Sequence, residues 1–499
     1  MEDTWRVTTT VNAAYLASAF GDRLWMFTVG ILMADIGGMS WVAIQQLVDS
    51  LAKLALLPSV GALLDKMNRN RAIQILLLVN NVCIFVSASA FFAGETETAR
   101  EHRLVRHVCL CLALLFGAIS RVTSEAQKIT FTKDWIVVLT EASEGKIRLS
   151  TQNTIMVVCD HVANVIAPIS AGFLIDHNSL KVVCLFNIIW NMLSWILEGG
   201  VLYWVYQKTG LLHTKNGGKF EVDERPVCGV AAFRAYYRQS CLKAALGLAF
   251  LYMTVLGFDN LAVSYGVHQG VSATNLAFLR ASGAVLGILG TFSYGGMAPW
   301  IGVLWTALIG LFLQNIAISV SGASTFLPGN AFNASGYISD LSVETFGDTI
   351  LQGISSGGTM QNVDKATTLP FFQLPLSIIL FFTGITAARF GLWIADPAIT
   401  QIMQETIPER ERYTVFGVQT AICELFSVIK DMLVILFPTV QMFGALSLLS
   451  CGFVFTGFLL YISHFLTNIV QTKKKREPSI AMVQPAAESV PLASIEELE

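Results

Sequence analysis

The feature that most limits this chain is a recurring length. Predominantly apolar stretches near 11–34, 41–64, 72–93, 107–127, 150–175 and 181–206 are followed by a second series near 241–268, 273–296, 299–321, 369–398, 412–438 and 440–466. Each is about as long as a helix must be to cross bilayer hydrocarbon. Lipid offers no partner to backbone N–H and C=O groups, so each stretch is expected to be a helix. Composition agrees: 54% of residues are hydrophobic and 13% charged, against roughly 25% charged in soluble domains. The opening residues MEDTWRVTTT carry two acids and lack the basic start of a cleavable signal peptide, so the first stretch is expected to stay in the membrane. A net charge of −3, with basic residues spread over short loops, gives no footprint for nucleic acid. The nine cysteines lie mostly within apolar segments without a CxxC pair, which suits buried thiols better than disulfides.

The order is six plus six. It implies an N-terminal lobe over 1–206, an interlobe loop over 207–240, a C-terminal lobe over 241–470 and a tail over 471–499. Basic residues in loops 65–71, 128–148 and 401–412, and in KKKR at 473–476, place both termini in the cytosol. Loop 94–106 dissents with three arginines, though three glutamates accompany them. Loop 322–368 then faces outside and carries a glycosylation sequon at Asn333. The polar tail after 476 is expected to be disordered.

Two six-helix lobes suit a secondary transporter with its substrate between them. GALLDKMNRNR (61–71), between spans 2 and 3, fits the G-x-x-x-D-[RK]-x-x-[RK] loop of the major facilitator fold, in which acids and bases at helix ends latch one conformation. Inside the spans, polar residues line up. Asp22 and Arg23 stand midway along span 1, where ionised groups cost about 2.5–3.5 kcal/mol or more and usually mark a pathway. Asn153, Asp160 and Asn164 share one face of span 5, and Asn187, Asn191, Ser194 and Glu198 one face of span 6. Span 3 adds Asn80 and Asn81. Carboxylate and amide oxygens without a phosphate-binding glycine loop point to a cation. His161 fits a packing histidine better than a ligand. Asp49 with Lys53, and Arg389 with Asp396, read as pairs that neutralise one another.

Several blocks, GDRLWMF (21–27), KDWIVVL (133–139), WNMLSWILE (190–198), GLAFLYMTVLGFD (247–259), AARFGLW (387–393) and QETIPERER (404–412), resemble ferroportin, the ferrous-iron exporter family of the major facilitator superfamily. The resemblance implies an all-α membrane protein with twelve transmembrane helices in two six-helix lobes. It would export Fe(II), with Mn, Co and Zn to some degree, across the plasma membrane by alternating access. The resemblance further implies no cofactor and no enzymatic activity. It implies a cation site at Asp22, Asn80, Asn191 and Glu198, with Asp160 beside it, and Ca as a regulatory ion there. It further implies a cytosolic gate of Asp65, Arg69, Asp134, Asn153, Glu409 and Arg412.

The chain also departs from vertebrate members. Met26 replaces a histidine, Tyr413 a glycine, and the second-lobe cysteine and histidine are Asn260 and Lys430, with Asp259 alongside. That site is expected to be remodelled or lost. The cysteine anchors the hormone hepcidin in vertebrates, so hepcidin is not an expected partner. These changes fit an invertebrate member and leave a second reading open: a transporter of another small cation or solute with a decayed metal site.

Overall fold

A computed structural model describes residues 2–94, 103–177, 180–213, 229–257, 273–330, 373–437 and 440–476, with isolated positions at 262–271, 332 and 347. Among the described residues helices are found in each of the twelve apolar windows, although in window 7 the continuous helix is only Leu242–Phe250. In the first half these are α1 (Glu2–Asp65), α2 (Arg69–Gly94), α3 (Arg103–Ile129), a π-helical turn (Thr130–Trp135), α4 (Ile136–Ala142), α5 (Leu149–His177), α6 (Leu180–Lys208) and the short α7 (Gly210–His213). The second half has α8 (Gly229–Tyr237), α9 (Leu242–Phe250), α10 (Ala273–Ile301), α11 (Val303–Ser324), α12 (Leu376–Thr406), α13 (Arg412–Leu436) and α14 (Val440–Arg476). Among the described residues, nine segments are long and apolar enough to cross a membrane by themselves.

Windows 1 and 2 form one helical run, α1, but not one rod. Asp22 meets Ser124, while Asp49 lies 3.9 Å from Arg121, less than one turn away on α3. A straight helix would separate positions 22 and 49 by about 40 Å. The chain therefore doubles back between them, and its two legs run antiparallel.

The lobes meet along two seams, the second leg of α1 on α13 and α5 on α10. Small residues set the first seam. A Cβ on Gly61 would come within 2.5 Å of the Tyr413 carbonyl oxygen, and one on Gly417 within 2.8 Å of the Leu57 carbonyl. The C-terminal core packs Phe381, Phe382, Tyr265 and Phe443 at its centre. Outward faces such as those of Ile166, Leu197, Phe278 and Trp300 stay exposed, as lipid-facing side chains do.

Two expectations are corrected. Residues 128–142 are helical, because α3 continues through the π turn into α4. Lys128 and Lys133 are therefore not loop cations and do not bear on orientation. Second, Lys53 leaves Asp49 for Glu424 of α13 across the lobe seam, and Asp49 turns to Gln45 and Arg121. In window 7 the helix ends at Phe250 and the chain is non-helical from 251 to 257, beside Gly257. Asp259, Asn260, the sequon Asn333 and the tail after 476 lie outside the described residues.

Candidate functional site

The first leg of α1 brings the polar stripes together. Gly21 lets it approach α6: a Cβ there would lie 3.1 Å from the Trp190 indole nitrogen and 3.6 Å from Asn191 Oδ1. The next residue, Asp22, accepts hydrogen bonds from Asn80 Nδ2 at 3.0 Å and from Ser124 Oγ. Asn80 Oδ1 in turn accepts from Ser120 Oγ at 2.7 Å. Asn80 thus orients Asp22 through its amine while its oxygen is held by α3. Glu198, buried on α6, accepts from Ser194 one turn earlier, and Ser18 and Asp22 of α1 also act on it. Asn191 donates to the Asn187 carbonyl at 2.8 Å, leaving Oδ1 directed at the Gly21 backbone region. Three helices, α2, α3 and α6, therefore bring polar groups to one short stretch of α1, residues 18–22.

Asp22 and Asp160 line a single open cleft between α1, α3 and α5, and their partners on α3, Ser124 and Lys128, stand about one turn apart. Asp160 is already occupied. Lys128 Nζ sits 2.8 Å from its Oδ2, and the Tyr15 hydroxyl donates to Oδ1 at 2.9 Å. Arg23, Arg121 and Glu125 line the same cleft. The α3 contribution was missed from sequence. Ser120, Ser124, Gln127 and Lys128 follow spacings of four, three and one, a polar stripe comparable to those of spans 5 and 6. Counting residues from 128 onward as loop hid its lower half. His161 packs edge-on against Trp393 with ring centroids 4.3 Å apart, as a packing histidine does.

The gate residues meet in one layer. Buried Asp134, aimed by the π turn, accepts from Arg69 Nε at 2.7 Å, Arg412 Nη1 at 3.0 Å and the Tyr413 hydroxyl at 2.8 Å. Arg69 also pairs with Glu409. Asp65 caps the start of α13, accepting from the backbone N–H groups of Tyr413 at 3.0 Å and Thr414 at 2.7 Å. An acid at a helix N-terminus satisfies otherwise orphaned donors. Asn153 donates to Gln404 Oε1 at 2.7 Å, and Gln404 donates to the Thr132 carbonyl at 2.6 Å. Lys133 lies 5.5 Å from the Phe416 ring centroid. Every one of these contacts except Arg69–Asp134 joins one lobe to the other, so the layer ties the two lobes together. Tyr413, Gln404 and Thr132 were not among the expected gate residues. A residue's role in an interlobe contact leaves no periodic mark in its own segment.

In the second lobe, Lys430 pairs with Asp431 at 3.1 Å. Arg389 points toward the broken segment after α9, its Nη2 lying 3.5 Å from where a Gly257 Cβ would be.

Comparison with known proteins matches residues 5–454 to the family described as Ferroportin1 (FPN1). Human ferroportin is 30% identical, the match covering 91% of this chain and 90% of that protein. A solved bacterial homologue of the iron transporter ferroportin in an outward-facing state superposes with a TM-score of 0.73 at 19% identity, over 92% of this chain and 99% of the other. The inward-facing state of a bacterial homologue gives 0.54 at 20% identity, with the same shares covered.

Proposed function

The chain belongs to the ferroportin family, which makes it a membrane transporter of the major facilitator type rather than an enzyme, and we propose that it exports ferrous iron from the cytosol across the plasma membrane by alternating access. One observation carries the reading: Asp22, halfway through a membrane-spanning helix, is held by Asn80 and Ser124 at the edge of an open cleft. A carboxylate kept at that depth is costly, and lining a path for a cation is the use that accounts for it. Asp22, Glu198 and Asn191 present oxygen ligands without sulfur or imidazole. That set suits hard or borderline divalent ions, so Fe(II), Mn and Co would be carried, Zn less readily, and Ca would bind as a regulator.

The gate layer supports alternating access: with the layer around Asp134 closed toward the cytosol, an ion held in the cleft would leave by the opposite face, and release there is export. Both termini are cytosolic on this reading. Asp259, Asn260 and Lys430 offer neither thiolate nor imidazole, so a transition-metal site comparable to a cysteine–histidine pair is not expected there, nor is hepcidin as a ligand.

The test is Fe(II) efflux from loaded cells expressing the wild type or Asp22→Asn, with surface amounts matched. Wild-type efflux that falls to background in the variant supports the reading. Wild-type efflux equal to that of untransfected cells overturns it. A second reading, transport of another small cation, draws on one observation, the ammonium of Lys128 seated on Asp160. It predicts that transport of that solute survives Asp22→Asn.

A further inference from the structure

Two carboxylates in the cleft lie within reach of one ammonium. Lys128 holds Asp160, whose other oxygen takes the Tyr15 hydroxyl, so both oxygens that would ligate a metal are engaged. The pair is not sealed: the Lys128 side chain keeps 34% of its surface and that of Asp160 16%. Glu125 stands three positions before Lys128 on α3, hence on the same helical face, and lines the same cleft. It forms no ion pair among the described residues, although Lys128 acts on it electrostatically. An ammonium on four rotatable bonds can move between such neighbours.

We propose that Lys128 is a tethered cation that occupies the place of a divalent ion at Asp160 and yields it by swinging to Glu125. The inference rests on the export reading. It assigns Lys128 and Glu125 a role in setting metal affinity. When the cleft is empty, Lys128 neutralises Asp160, so the carrier can close without stranding an anion in a dry interior. When a divalent ion arrives, ammonium and metal repel one another, and Glu125 gives the ammonium somewhere to go. Asp160 then joins the ligands from its own helix while Lys128 stays on α3.

The experiment is calorimetric binding of Co(II) to the purified full chain in lipid nanodiscs. Four proteins are compared with wild type: Lys128→Met, Lys128→Arg, Glu125→Gln and the Lys128→Met/Glu125→Gln double variant. Removing the competing cation should tighten binding about tenfold, equivalent to about 1.4 kcal/mol, whereas Lys128→Arg should stay near wild type. Glu125→Gln should weaken binding several-fold in the wild-type background and have little effect beside Lys128→Met, because the refuge matters only while the lysine is there.

Wild-type binding with Lys128→Met unchanged or weaker overturns the inference and leaves the export reading standing. An equal cost of Glu125→Gln in both backgrounds overturns the swing. No Co(II) binding by wild type or by Lys128→Met overturns both readings together, while binding by Lys128→Met alone supports this one. Should Lys128→Met not yield monodisperse protein, Glu125→Gln decides, and an affinity equal to wild type overturns the inference.

Discussion

Tyr413→Phe removes one oxygen atom from the gate layer, the closed door of the proposed cycle, and nothing else. The Tyr413 hydroxyl donates to Asp134 Oδ2 at 2.8 Å in a fully buried setting, while Arg69 and Arg412 continue to hold the same carboxylate. The substitution therefore does not strand a charge, which would cost more and could collapse the fold. A hydrogen bond to a charged group contributes about 1.5–3 kcal/mol. When the door opens, Asp134 and the tyrosine both gain water, so most of that contribution belongs to the closed state alone. The ratio of open-door to closed-door molecules should rise about tenfold to a hundredfold. The assay is pulsed electron–electron double resonance between spin labels on unnatural side chains at Lys146 and Arg410, exposed positions on the two lobes. Tyr413→Phe should feed a longer-distance population that wild type shows weakly or not at all. A distribution unchanged from wild type, in a variant that remains monodisperse, would mean that the arginines alone hold the door. The reasoning from Asp134 outward would then be wrong.

Other substitutions test neighbouring parts of the same account. Gly61→Ala should loosen the door in the same sense, because the backbones of α1 and α13 must part by about 0.9 Å to bring a 2.5 Å approach to an ordinary 3.4 Å contact; the same resonance measurement reads it. Lys53→Met leaves Glu424 without its partner in the lobe seam and should cost up to about 3 kcal/mol, seen as a lower melting temperature. Lys53→Met/Glu424→Leu should recover most of that loss, and a double variant no more stable than the single would contradict it. Glu198→Gln should reduce Fe(II) efflux and weaken Co(II) binding together, whereas a variant normal in both would remove Glu198 from the site.

Much of the architecture was legible because lipid imposes a length on every crossing and leaves the backbone one way to satisfy itself. The same rule misplaced the end of span 4. Charge was taken to mark the water boundary at Lys128, yet Asp160 gives that ammonium a partner inside the bundle, and the ring of Phe416 does the same for Lys133. The i, i+4 rule failed at Asp49 and Lys53 for a related reason. Neighbours on one helix pair only when nothing better faces them, and Glu424 does. The polar stripes on spans 5 and 6 could be read because each repeats at helical spacing on its own segment. Tyr413 meeting Asp134, and Gln404 meeting Asn153 and the Thr132 carbonyl, could not. Those contacts depend on how two lobes are turned toward each other, and that relation differs between the states of a carrier while the sequence stays the same. A contact that must form and break in each cycle is written in tertiary geometry, so the residues hardest to read in this chain are those on which its motion depends.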